Sequence, residues 1–272
     1  MDKLLTVVIP SYNVEKFLNQ TLDSFICDEA VMKKFEVIVV DDGSKDNTAK
    51  IGKEYADKYP DTFRVISKEN GGHGSTINCG IRNAVGKYFK VVDGDDWVNT
   101  ADFVKLVEDL EKTESEYVFT NYYEYYDDVN RQKAVDFPQF KDGTEYDFAD
   151  VANKVYIPMH ALVIKTSVLK DNNIVIDEKC FYVDVEYVMF PVPFVNKVTF
   201  FDLHVYMYRL ALSTQSVSIL GFQKHINDHL RVTFHMFDFY RDYISSDKAD
   251  SAKADYMRTC IADLIITQSA IY

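Results

Sequence analysis

Three carboxylates occupy four positions in Asp93-Gly94-Asp95-Asp96, directly after the mostly apolar run Tyr88-Phe89-Lys90-Val91-Val92. A strand that ends in such a cluster gathers like charges at one edge of a sheet. They raise each other's pKa unless a positive charge lies between them. The fitting neutraliser is a hard divalent cation. Mg²⁺ or Mn²⁺ held by one or two carboxylates usually shares its remaining positions with phosphate oxygens. A solvated acidic turn before a helix has the same composition, because Asp and Gly are common turn residues. The elements around the cluster decide between the two.

Those elements read as alternating strands and helices. Leu5–Pro10, Glu36–Val40, Phe63–Ile66, Tyr88–Val92 and Tyr117–Tyr123 are short, buried strand patterns. Between them, Val14, Phe17, Leu18, Leu22, Phe25 and Ile26 share a helical face behind an Asn13 cap. Asp46 or Asn47 caps a helix carrying Ile51, Tyr55 and Tyr59. A glycine-rich loop from Asn70 to Ser75 leads into a helix over Thr76–Val85. Thr100 caps the helix with Phe103, Val104, Leu106, Val107 and Leu110. This alternation predicts an α/β fold: a mostly parallel sheet with right-handed crossovers, flanked by helices. Ligands in such sheets bind beyond the carboxyl ends of the strands. Three strands end in Ser11-Tyr12-Asn13, Asp41-Asp42 and Asp93-Gly94-Asp95-Asp96, so polar residues collect along one edge, as a nucleotide site needs.

After about Tyr123 the periodicity blurs. Asp127–Asp150 reads as acidic loops around a β-ribbon, and Ala161–Lys165 and Lys197–Phe201 as further strands. Ile226, Leu230, Phe234, Phe237 and Phe239 suggest a helix, and Tyr256, Ile261, Leu264 and Ile265 another. The expected division is a unit over 1–218, dense in pattern over 1–112 and sparser over 113–218, then a helical C-terminal extension over 219–272. The apolar pattern is still running at Tyr272, which fits a chain that continues beyond it. The last helices are candidates for self-association.

Composition removes several function classes. The net charge of −13 argues against reading a nucleic-acid backbone and against electrostatic docking on an anionic membrane. No uncharged apolar run approaches ~18 residues, so no membrane span is expected. Cys27, Cys79, Cys180 and Cys260 are scattered, with no C-x-x-C pair, and read as thiols of a reducing cytoplasm. The expected location is cytoplasmic, at most peripheral to the inner face of a membrane.

The chain resembles the family 2 inverting glycosyltransferases of the GT-A fold. The matching pieces fall in that family's order: Val7-Val8-Ile9-Pro10-Ser11-Tyr12-Asn13; Val39-Val40-Asp41-Asp42-Gly43-Ser44 followed by Asp46-Asn47-Thr48; Asn70-Gly71-Gly72; Asn78-Cys79-Gly80-Ile81; and Gly86-Lys87-Tyr88 leading into Asp93-Gly94-Asp95-Asp96. They cover residues 4–112 densely. A sparser set continues to about residue 218. Val183-Asp184 stands where the family commonly has Glu-Asp, and Tyr206-Met207-Tyr208-Arg209 with Ser216-Val217-Ser218 looks like its late signature.

The resemblance implies a GT-A, Rossmann-like catalytic sheet over 1–218, with a nucleotide-sugar-binding half (1–112) and an acceptor half (113–218), and a C-terminal helical extension over 219–272. It implies transfer of one sugar from a UDP-sugar to a hydroxyl of a glycan, lipid-linked or glycoprotein acceptor. Pro10, Tyr12, Asp41, Asn70, Gly71, Asn78, Asp93 and Gly94 would contact the donor, with Asp41 accepting from the uracil imide and Tyr12 against the base. Asp95, with Asp93, would hold Mn²⁺ or Mg²⁺. Asp184 would be the general base, since inversion needs one displacement with a base opposite the leaving group. Helix capping is the alternative use of Asp184. Asp96, as second ligand or helix cap, Glu186, Arg209, Ser216 and His160 are secondary candidates. His73 is either a phosphate contact or a solvated loop residue. Val183 removes one expected acid, which keeps open a silent sugar-nucleotide-binding or scaffold subunit. A nucleotidyltransferase is disfavoured because Ser11-Tyr12-Asn13-Val14 replaces its glycine- and arginine-rich loop. A processive synthase is disfavoured because Trp97 is the single Trp. His225 and His229 have an i, i+4 spacing that can bind Zn²⁺, but no H-E-x-x-H pattern accompanies them.

Overall fold

The computed structural model describes residues 3–210 and 219–271 of the chain. Four strands form the expected parallel block: β1 (Leu5–Ser11), β2 (Phe35–Asp41), β3 (Phe63–Ser67) and β4 (Tyr88–Val91). β1 pairs in parallel with β2 and β4, and β2 with β3. Beyond β4 the sheet turns mixed. It continues through β5 (Trp97–Val98), β6 (Tyr117–Tyr126), β7 (Arg131–Val135), β8 (Thr144–Asp147), β9 (Leu162–Lys165) and β10 (Lys197–Leu210). The order is β3-β2-β1-β4-β9-β6-β10-β5, with β7 on β6 and β8 on β10. β9 enters antiparallel between β4 and β6. The chain reaches it through the acidic ribbon after β6, and antiparallel strands need no helical crossover.

The helices of the first half are α1 (Leu18–Asp23), α2 (Glu29–Met32), α3 (Thr48–Lys58), α4 (His73–Asn83) and α5 (Thr100–Leu110). Period-two alternation sorts the strand residues to two faces. Leu5, Val7, Ile9, Val37 and Val39 pack with Leu18, Leu22, Phe25, Phe103 and Leu106. Val8, Ile38, Val40, Phe89 and Val91 pack with Ile77 and Ile81 of α4 and with the later helices.

Two caps differ from the sequence expectation, and a third is decided between its two alternatives. Asn13 does not cap α1. Its backbone is left-handed (φ 54°), and its side-chain carbonyl accepts from the Lys45 N–H (2.8 Å), tying two strand-end loops together. Asp46, not Asn47, caps α3, accepting from Thr48 N–H (2.9 Å). Asn99, one residue before Thr100, caps α5.

The second half adds α6 (Phe148–Ala152), α7 (Thr166–Asp171), α8 (Asp184–Met189), α9 (Ile219–Lys224), α10 (Ile226–Ile244) and α11 (Ser251–Ile271). α10 exists where expected, but it presents a different face. Phe234 is 64% exposed and Phe237 42%, while His229, Val232, Thr233, Met236 and Tyr243 are buried. The buried stripe includes His and Thr, so counting apolar residues selected the outer side. Tyr256, Met257, Cys260, Ile261 and Leu264 of α11 join the same apolar cluster as one sheet face. The Tyr256 hydroxyl accepts from the Ile157 N–H (3.2 Å). Among the described residues, no helix is long and apolar enough to cross a membrane.

Candidate active site

The acidic turn joins β4 to β5. The Gly94 N–H donates to the Pro10 carbonyl (3.1 Å) and the Asp96 N–H to the Asp93 carbonyl (3.0 Å), which fastens the turn against the end of β1. The three acids then diverge. Asp93 Oδ1 lies 2.8 Å from His73 Nε2 at the start of α4. Asp96 is buried and accepts from the Tyr206 hydroxyl (2.6 Å) and the Arg209 N–H (2.7 Å). It is therefore not the cap of α5, and both its oxygens are engaged by β10. Asp95 is different: its backbone carbonyl accepts from Arg209 Nε (2.8 Å), but no described side chain donates to its carboxylate.

β10 reaches this turn through an irregularity. Its register against β6 shifts between Phe201 and His204 and again between His204 and Tyr206. Such bulges re-aim side chains next to functional sites. Tyr206 then receives the Asp93 N–H (3.1 Å) while donating to Asp96. The Arg209 guanidinium lies over Trp97 (4.6 Å) and Phe17 (4.9 Å) and reaches Gln20 and Asp127. It braces the turn from behind and does not line the cleft.

A cleft of about 580 Å³ opens above the turn. Pro10, Tyr12, Asp93, Gly94, Asp95, Asp96, His160 and Asp184 line it, bringing eight sequence candidates to one place. Tyr12, 48% exposed, is free to meet a flat ligand. Asp184 is the first residue of α8 rather than its cap. Val183 holds the cap position, makes no side-chain cap bond and is fully buried. The residue in place of the expected acid is thus a core residue, and the remaining acid faces the cleft. The chain enters α8 through Tyr182, whose φ of 65° is costly for a bulky side chain.

The other candidates lie beside the cleft. Asp41, at the end of β2, accepts from the Ser44 N–H (3.0 Å). Asp42 accepts from the N–H groups of Gly71 (2.9 Å) and Gly72 (2.8 Å) and from Lys68 Nζ (2.6 Å), and so shapes the glycine loop. Asn70 donates to the Asp42 carbonyl (3.0 Å). Gly72 has φ +82°, which glycine adopts without strain. Asn78 spends its side chain on Ile176, donating to the carbonyl (2.8 Å) and accepting from the N–H (2.9 Å). It holds the segment that leads to Asp184. Glu186 is fully buried and points to α10, 3.0 Å from His235 Nδ1, while accepting from the Asp177 N–H (2.8 Å). It takes no part in lining the cleft. Ser216 lies outside the described residues.

Burial and charge set the protonation states. Burial, then the neighbouring Asp93, push Asp95 up to about 6. Burial would also raise Asp93, but the charge and hydrogen bond of His73 bring it below the usual carboxylate range. His73 in turn is raised: burial opposes its charge, and Asp93 outweighs burial. Burial raises Asp184, against the attraction of His73. Burial lowers His160 to about 4, so its ring is neutral. It stacks on Tyr208 (4.3 Å between centroids). Lys90, buried and lowered to about 7, donates to the His160 carbonyl (2.8 Å) and holds that segment.

Sequence reasoning missed Tyr156, Pro158, Phe181 and Tyr182, and above all Asp263 and Leu264 of α11, all of which line the cleft. Phe181 and Tyr182 directly precede Val183-Asp184 in the later acidic motif, and no local motif marks the others. His73 was legible only as an ambiguous loop histidine.

A family model described as "Glycosyl transferase family 2" matches residues 6–172. The chain belongs to glycosyltransferase family 2. Among curated relatives, glycosyltransferase EpsJ of Bacillus subtilis is 37% identical over 123 residues, covering 45% of this chain and 35% of that protein. Glycosyltransferase GlyA of Streptococcus pneumoniae is 34% identical over 125 residues, covering 46% and 18%. The chain thus spans less than half the length of the curated relatives it matches. Among solved structures, S. aureus TarS 1-349 in complex with UDP-GlcNAc aligns with a TM-score of 0.73 at 20% identity, over 98% of this chain and 73% of that one. The mannosyltransferase PcManGT of Pyrobaculum calidifontis, in complex with GDP-Man and Mn²⁺, aligns with a TM-score of 0.61 at 17% identity, over 100% and 74%. These likenesses establish the GT-A glycosyltransferase fold for this family 2 chain.

Proposed function

We propose that this family 2 chain moves a single sugar from a UDP-sugar to a hydroxyl of a saccharide acceptor, with inversion. The observation that carries this reading is the pairing within one cleft of Asp95, whose carboxylate receives no hydrogen bond from any described side chain, with Asp184. Tyr12 offers an exposed ring at the same cleft for the base, with Asp41 at the adjacent strand end. TarS with UDP-GlcNAc and PcManGT with GDP-Man support a nucleotide-sugar donor by likeness of fold.

The residues present fit a divalent ion. Mg²⁺ and Mn²⁺ take one or two carboxylates and leave the remaining positions to phosphates and water. Asp95 supplies a carboxylate to which no described side chain donates, and Asp93 has one oxygen not used by His73. Asp177, Glu186 and His235 also bring ligand atoms within 4.8 Å of one another, but they lie between α8 and α10, away from the cleft. When bound, Mg²⁺ or Mn²⁺ neutralises negative charge on the departing diphosphate.

The chain's own residues supply the rest. Tyr206 and Arg209 hold the acidic turn rigid, and Asp42 holds the glycine loop. Asp184 takes the acceptor hydroxyl proton, and its raised pKa brings it nearer to neutrality, where a general base works best. The family's acidic pair is reduced to one member here, and that member faces the cleft. The cysteines are all free, in keeping with a cytoplasmic setting.

The test is donor turnover. UDP release from a panel of UDP-sugars, with and without Mn²⁺, is compared between wild type and Asp184→Asn. Retained UDP binding with transfer lost by at least about a hundredfold supports the assignment. Unchanged transfer by Asp184→Asn removes Asp184 as base, and no turnover of any UDP-sugar removes the reading.

A further inference from the structure

The acceptor end of the cleft has an unusual charge balance. Five carboxylates line the cleft, those of Asp93, Asp95, Asp96, Asp184 and Asp263, and no lysine or arginine does. Residues 211–218, Ala-Leu-Ser-Thr-Gln-Ser-Val-Ser, contain no lysine or arginine either. The acids of the β4–β5 turn are engaged with β10 or assigned to the donor side. Asp184 and Asp263 remain, and both line the cleft beside Tyr156. Burial pushes the Tyr156 hydroxyl well above its ordinary range, and Cys260, Asp184, Tyr256 and Asp263 add to it in that order.

Rings surround this end. Tyr156, Phe181, Tyr182 and Tyr208 line it together with Leu264. Aromatic faces pack against the C–H surfaces of a sugar ring, and carboxylates accept from its hydroxyls or pair with an ammonium. A phosphate or carboxylate beside Asp184 and Asp263 meets two like charges and no lysine or arginine among the described lining residues, and the lining imidazole of His73 is held by Asp93. Across about 4–6 Å at a partly wet surface, one such repulsion weakens binding by about tenfold.

Resting on the transferase reading above, we propose that the acceptor is a neutral or amino sugar with no anionic group near its reacting end. Asp263, carried by α11, determines that choice. The helices after residue 219 are then part of acceptor recognition and not an appendage. Asp263 is exposed and lines the cleft, so its carboxylate is open to a ligand there.

Direct binding tests this without any turnover, so its failure is distinct from failure of the transferase reading, which donor turnover reports. One ring is offered in four charge states to the full chain: methyl glucoside, glucosamine, glucose 6-phosphate and methyl glucuronide, titrated by saturation-transfer NMR. The neutral and amino sugars are expected to bind at least about tenfold more tightly than the two anions. Asp263→Asn narrows the amino-sugar preference, and Asp263→Lys moves glucose 6-phosphate ahead by about tenfold. A melting temperature close to wild type shows that the exposed substitution has left the fold intact. Equal or tighter binding of the anions to wild type overturns the proposal. So does an unchanged order in Asp263→Lys, and so does absence of binding by all four sugars.

Discussion

Asp95 is held in a place that favours its protonated form, so removing its charge should stabilise the ion-free protein. Burial and the adjacent Asp93 raise it from the ordinary 3.8 to about 6. The native state therefore binds this proton more tightly than the unfolded chain does. Stability is unaffected below pH ~4, falls as pH rises through the interval up to about 6, and stays lower above it. About two pKa units at about 1.4 kcal/mol each give roughly 3 kcal/mol. The carboxylate lies at an open cleft where water screens it, so about 1–2 kcal/mol is the working figure. For a chain of this size that is about 3–5 °C in melting temperature. Asp95→Asn cannot ionise and escapes the penalty. Thermal melts in EDTA at pH 8 should show the variant about 3–5 °C above wild type, with the gap closing towards pH 4. Adding Mn²⁺ and UDP should stabilise wild type only. A variant that melts at or below wild type at pH 8 without metal would refute the reasoning, because Asp95 would then have a compensating partner.

Other perturbations test the supports of the site. A Cβ on Gly74 would stand 2.0 Å from the Asp177 carbonyl oxygen, a backbone atom. Gly74→Ala should cost about 2–3 kcal/mol, read as a lower urea midpoint. Tyr206→Phe leaves the Asp93 N–H and one Asp96 oxygen without their partner and should cost about 2–3 kcal/mol in the same assay. Unchanged stability would show that β10 does not anchor the turn. His235 is raised first by its hydrogen bond to Glu186. Its contribution is therefore full below its ordinary 6.5 and lost as pH rises through the raised value. The melting gap between wild type and His235→Ala should correspond to about 1 kcal/mol at pH 6, after solvent screening, and shrink by pH 9. A gap independent of pH counts against this pairing.

The parallel block was legible because its signals are local. β-branched runs, helical faces and turn residues recur at the spacing of a right-handed crossover. The family motifs lie on the same stretches, so Asp93, Asp95, Asp184 and Tyr12 could be named from order and residue type. Where alternatives stayed open, long-range partners decided them. Asp96 could be a ligand or a cap until Tyr206 and the Arg209 N–H arrived from β10, more than a hundred residues away. Glu186 shares a short helix with Asp184, yet two residues along a helix turn it to the opposite face, towards His235 instead of the cleft. On α10 the buried stripe contains His229 and Thr233, so the apolar count chose the exposed side.

By itself the sequence determined the chemistry at the strand ends: which carboxylates exist, which strand carries them, and that they share one edge of an α/β sheet. Local pattern suffices there, because strand direction and side-chain alternation follow from neighbours in the chain. Tertiary structure alone decided which acids remain available and which distant residues line the cleft. Hydrogen-bond saturation, burial and the arrival of Asp263 from α11 depend on groups that meet only when distant segments pack, and no spacing within a segment encodes such meetings.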